Sequence, residues 1–125
     1  MKFLLDTSVL LIWLGDATRI TPTMSEVILS DANTIYFSPL SVWECRIKAA
    51  RGMLEVDDEL LEVLSGKRFL ELPFTAEHAD ETKNLPSLHR DPFDRGLIAQ
   101  ARMEGMCLLT TDRRLSNYDV RTRLA

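Results

Sequence analysis

Apolar residues along this chain fall into short blocks of two kinds, unbroken runs and stripes at helical spacing. Lys2 to Leu5 is an apolar run stopped by Asp6, the pattern of a strand buried on both faces. Val9 to Leu14 follows as a helix that Thr7 and Ser8 can cap and that Gly15-Asp16 ends. Pro22 to Asp31 carries Met24, Val27 and Ile28 at helical spacing, and the β-branched and aromatic run Thr34 to Phe37 reads as a second strand. Ser38-Pro39 opens a helix running to about Arg51, before Gly52, with Leu40, Trp43, Ile47 and Ala50 as its expected buried stripe. A short helix is expected from Asp57 to Leu64, closed by Gly66. Phe69 to Leu72 reads as a third strand, and Thr75 caps a polar helix that passes Glu81 and ends near Leu85. Asp91-Pro92 starts another helix, which ends near Gly105. Cys107 to Thr110 is a fourth strand, stopped by Thr111-Asp112, with room for a fifth around Val120.

Strands alternating with helices predict an α/β fold, an open and mostly parallel sheet covered on both faces. No internal repeat, linker or low-complexity segment interrupts it, so one domain over residues 1–125 is expected. Ligands of such sheets bind beyond the carboxyl ends of the strands, at the topological switch point. Several acids fall at that edge. Asp6 ends the first strand and Asp112 follows the fourth, while Glu44 and Asp94 are expected in the first turns of helices that start on or near the same side. Asp94 heads the stripe Leu97, Ile98, Ala101, an inward position where a lone charge is costly. Glu44 borders the stripe of its own helix, four residues before Lys48, with which it can also pair. Asp91 is accounted for as a helix cap, or as a supporting acid.

Composition narrows the picture little. Hydrophobic content of 46% and charged content of 27% are ordinary for a globular protein, and the net charge of −4 excludes nucleic-acid binding through an overall basic surface. Cys45 and Cys107 sit far apart in apolar surroundings, as small buried residues of a reducing compartment. Met1-Lys2 leads straight into the first strand without a signal peptide, and no apolar segment approaches the ~20 residues that span a bilayer. A cytoplasmic protein with no membrane association is the expectation.

Two carboxylates about 4 Å apart repel by roughly 4 kcal/mol at an effective dielectric near 20, so four gathered acids need cations to stay ionised. Oxygen donors alone select Mg²⁺ or Mn²⁺. Phosphodiester hydrolysis is the chemistry that best uses such a site. Around it, Thr7, Ser8, Ser41, Thr110 and Thr111 can hydrogen-bond the acids or a bound water, although capping explains the first two equally well. Arg95 and Arg113 each follow a candidate ligand and can face a phosphate, or simply be solvated. His89 is a lone loop histidine, structural or a phosphate donor.

These residues resemble the PIN-domain ribonucleases, most closely the VapC-type toxins of bacterial toxin–antitoxin pairs. The resemblance is carried by Leu4-Leu5-Asp6-Thr7-Ser8, Ser41-Val42-Trp43-Glu44, the stretch from His89 to Arg95 with Leu97 to Ala101, and Thr110-Thr111-Asp112. It implies a three-layer α/β/α sandwich with a central, mostly parallel sheet of four or five strands. The implied activity is an endoribonuclease that uses one or two Mg²⁺ or Mn²⁺ ions held by Asp6, Glu44, Asp94 and Asp112, with Asp91 as an extra acid. It also implies an RNA substrate, a homodimer and a small cognate antitoxin as inhibitor. Gly96 departs from the pattern, where Ala or Leu is frequent; glycine there costs about 1 kcal/mol in helix propensity.

Two other readings compete. A phosphotransferring α/β domain would use Asp6 as nucleophile, but the second acid of a dehalogenase-type pattern is replaced by Ser8, and the acid pair and lysine of a receiver are not evident. A non-catalytic module could receive a partner's arginine in the acidic pocket.

Overall fold

In the computed structural model, which describes residues 1–125, five parallel strands form one sheet in the order β3-β2-β1-β4-β5. The strands are β1 Lys2–Leu5, β2 Thr34–Phe37, β3 Leu70–Glu71, β4 Cys107–Thr110 and β5 Thr122–Leu124. The fifth strand thus starts two residues beyond Val120. Six helices cover the sheet: α1 Thr7–Gly15, α2 Pro22–Leu29, α3 Pro39–Ala50, α4 Leu60–Gly66, α5 Ala76–Glu81 and α6 Pro92–Met103. The result is a three-layer α/β/α sandwich.

β1 lies at the centre, with Leu4 beside Tyr36 of β2 on one flank and Leu108 of β4 on the other. Alternation along the central strands feeds two separate cores. Phe3, Leu5, Cys107 and Leu109 pack on one face with Val9 and Leu10 of α1, Met24 of α2 and Leu64 of α4. Leu4 and Leu108 pack on the other with Leu97, Ile98 and Ala101 of α6. Side chains buried on both faces are why these strands read as unbroken apolar runs. The chain turns one way from β1 to β2 and the other way to β4, so the switch point lies between β1 and β4.

Two local expectations need correction. The cap of α1 is neither Thr7 nor Ser8 but Asp6, whose Oδ1 accepts from the Val9 amide at 2.8 Å. Thr7 and Ser8 are the first helical residues, and their hydroxyls are free for other partners. The stripe assigned to α3 is also out of phase. Trp43 is 60% exposed, and the face turned inward is Leu40, Ser41, Glu44 and Cys45. The two cysteines are free thiols in the interior, as expected; burial pushes the Cys45 thiol up to about 11. No helix is long and apolar enough to cross a membrane.

Candidate functional site

The carboxyl edge of the sheet opens into a cavity of about 280 Å³ lined by Asp6, Glu44, Asp91, Asp94 and Asp112, together with Thr7, Ser8, Leu11, Lys48 and Thr111. Four segments separated by tens of residues supply these side chains. Asp6 comes from the end of β1, Glu44 from the second turn of α3, Asp94 from the first turn of α6, and Asp112 from the turn after β4.

Asp6 is the most tightly held. Its Oδ1 accepts from the Val9 amide and, at 3.0 Å, from the Ser8 hydroxyl, while Oδ2 accepts from the Thr110 hydroxyl. Burial raises its carboxyl above the ordinary 3.8, against the downward pull of those hydrogen bonds. Thr110 spans two acids, because its oxygen also accepts from the Asp112 amide at 3.0 Å. Thr7 donates to the Ser41 hydroxyl at 3.0 Å, tying α1 to α3, and the Ser8 and Thr111 hydroxyls meet at 3.1 Å. The candidate hydroxyls therefore form the frame of the crevice.

Glu44 is 6% exposed; its Oε2 pairs with Lys48 Nζ at 3.1 Å, while its Oε1 is buried without a hydrogen-bond partner. An orphaned anionic oxygen is expensive unless something cationic meets it. Asp94 shows the same demand. Burial first, and then Asp91, Asp6, Glu44 and Asp112, push its carboxyl up to about 7. Asp112 behaves oppositely, held low chiefly by hydrogen bonds from the Arg114 side chain, which grips it with Nε on Oδ1 at 3.0 Å and Nη2 on Oδ2 at 2.8 Å. Asp91 is the cap of α6, accepting from the Phe93 and Asp94 amides, yet it also lines the cavity.

Arg95 requires a correction. Its guanidinium is spent on backbone carbonyls, Thr82 at 3.0 Å, Leu85 at 3.3 Å, Pro86 at 2.8 Å and His89 at 3.5 Å, so it staples a loop and is not offered to a phosphate. Arg113 is exposed and absent from the lining. The cations beside the acids are Lys48, read from the sequence only as the i,i+4 partner of Glu44, and Arg114, which sequence reasoning missed, one residue beyond the arginine singled out. Helical spacing from Glu44 identifies the first; the Asp112–Arg114 turn contact has no signal in spacing. His89 was underrated: its Nε2 lies 3.0 Å from Asp94 Oδ2 and 3.7 Å from Asp112 Oδ2.

A carboxylate crevice at the switch point of a parallel sheet, framed by hydroxyls and demanding positive charge, defines a candidate metal-assisted phosphoryl-chemistry site. Known proteins place it more narrowly. The model of the PIN domain matches residues 3–121, so the chain belongs to the PIN-domain family, a family of nucleases. Its fold is similar to VapBC2 of Rickettsia felis, solved bound to a DNA fragment from its promoter, at a TM-score of 0.72 and 15% identity over 100% of this chain and 99% of that one. DNA-bound VapBC from Salmonella typhimurium gives 0.67 at 17% identity, covering 98% and 97% of the two chains. FitAcB from Neisseria gonorrhoeae gives a TM-score of 0.62 at 20% identity, covering 96% and 95%. No curated protein matches the chain.

Proposed function

We propose that the chain is a divalent-metal-dependent endoribonuclease, the toxin of a toxin–antitoxin pair of the VapC kind. The observation that carries this reading is the convergence of Asp6, Glu44, Asp94 and Asp112 on one cavity in which Asp94 is raised to about 7 and Glu44 Oε1 has no partner. The residues fit a divalent cation: every acid donor is a hard oxygen, as Mg²⁺ and Mn²⁺ prefer. When bound, such an ion supplies charge for the attacking water and for the departing oxygen of a phosphodiester. Asp6, Glu44, Asp94 and Asp112 would hold it, with Asp91, which lines the same cavity, as an extra acid.

The protein's own contribution is arrangement. Thr110 and Ser8 fix both Asp6 oxygens, and the Thr7–Ser41 bond holds α3, and with it Glu44, against α1. Lys48 and the exposed Arg114 sit at the crevice rim, where RNA phosphates can replace their carboxylate partners. Small cations placed this way allow an acidic protein to bind RNA locally. An antitoxin would inhibit by covering this crevice or by inserting a basic side chain, and a homodimer is the assembly proposed with it. The phosphoacceptor reading is disfavoured because Ser8 stands where a dehalogenase-type site needs its second acid.

The test is cleavage of RNA with Mg²⁺ or Mn²⁺ by the wild type, Asp6→Asn and Asp94→Asn. A loss of at least 100-fold is expected for each variant, and undiminished cleavage in both sinks the proposal.

A further inference from the structure

We propose that His89 is a positioning residue of the cation-holding cluster, its Nε2–H set between the oxygens of Asp94 and Asp112. The inference rests on the metal-dependent reading above and adds to it a group that is neither an acid nor a ligand. His89 lies in the loop between the turn Thr82–Asn84 and α6. Its Nδ1 accepts from the Asp91 amide at 3.2 Å. A neutral imidazole that accepts at Nδ1 must carry its proton on Nε2, so Nε2 has no lone pair to give a metal. That nitrogen is buried and stands 3.0 Å from Asp94 Oδ2 and 3.7 Å from Asp112 Oδ2, but is in line for a hydrogen bond with neither. One ring nitrogen of His89 and one carboxylate oxygen each of Asp94 and Asp112 all lie within 4.8 Å of one another. At 3.0 Å a small tilt of the ring would bring its N–H onto Asp94 Oδ2, the relation that carboxylate ligands commonly have with their supporting residues.

The loop is built to hold that nitrogen still. Arg95, one residue after Asp94, donates to the carbonyls of Thr82, Leu85, Pro86 and His89 itself. The same helical turn therefore presents Asp94 and pins the histidine against it.

The experiment is carried out on the full chain with Mn²⁺ alone, so it does not depend on finding the RNA. Imidazole ¹H–¹⁵N spectra of the wild type should show His89 protonated at Nε2 and not at Nδ1. Mn²⁺ affinity, read by titration calorimetry, is then compared among His89→Leu, His89→Asn and His89→Gln. Leu removes the donor, Asn keeps only the Nδ1-like position, and Gln restores an N–H near the Nε2 position. Affinity should fall about 10- to 100-fold for Leu and Asn, and return to within about threefold of wild type for Gln. An Nδ1–H tautomer, full affinity in His89→Leu, or an equal loss in all three variants overturns the assignment of His89 while leaving the acid cluster intact. A wild type that binds no Mn²⁺ at millimolar concentration instead overturns the metal reading itself, and this inference with it.

Discussion

Asp94 pays for its place at the head of α6, because burial and four nearby carboxylates push its carboxyl up to about 7. A folded-state value above the ordinary 3.8 means that this group favours folding below about pH 4, and that the contribution is lost as pH rises through about 7. Asp94→Asn should therefore raise the melting temperature of EDTA-treated protein at pH 8 and leave it nearly unchanged at pH 4. The variant should also lose the stabilisation by Mn²⁺ that the wild type shows; thermal melts at the two pH values check both. Asp6 predicts a contrast between two substitutions. Asn keeps a capping oxygen for the Val9 amide, whereas Ala loses the cap; both remove the acceptor of the Thr110 hydroxyl, because Asn places an amide N–H2 where Oδ2 stood. In urea denaturation, Asp6→Ala should cost about 1 kcal/mol more than Asp6→Asn. Single residues were legible in the sequence where position alone decides, as for an acid ending an apolar strand. They were not legible where a long side chain chooses among distant partners. Arg95 follows Asp94 directly, yet four carbonyls in a loop that folds back on α6 decide where its guanidinium goes.

Among the elements, α6 and α3 mark the reach of hydrophobic spacing. In α6 the stripe below Asp94 is apolar and the reading of its inward face stands; the buried Gln100 is satisfied by the Leu72 and Pro73 carbonyls. In α3 the largest apolar side chain drew the stripe toward Trp43, which instead lies on the surface edge-on to Phe93 with ring centroids 5.3 Å apart. Ser41 and Glu44 take the inner face because Thr7 and Lys48 satisfy part of their polarity, and no count of hydrophobic positions contains that information. Gly96 now has a reason. A Cβ at this position would fall 2.4 Å from Leu40 Cδ1 and 3.4 Å from the Phe74 ring, so the missing side chain lets α6 close on α3. Gly96→Leu should cost about 2–3 kcal/mol as overpacking, and Leu40→Ala should recover part of that loss in a double-mutant cycle by chemical denaturation.

At the scale of the molecule, strand order follows from the alternation of strands and helices only as far as a parallel sheet; that β1 lies between β2 and β4 became visible in the structure. That central place is what turns four scattered acids into one crevice. A cation held there as proposed would join β1, α3, α6 and the turn after β4, and would so stabilise the whole fold. Mn²⁺ at 100 times its dissociation constant should add about 2.7 kcal/mol, several degrees in melting temperature, reversed by EDTA. A flat response in calorimetry would mean that the acids hold no ion. The bond between Thr110 and Asp6 closes a span of 104 residues. During synthesis β1 therefore waits for β4 before the second oxygen of its acid is held. A polypeptide that stops short of residue 110 lacks the partner of one Asp6 oxygen and the strand that flanks β1 on that side, so such a fragment should leave the acidic crevice unassembled.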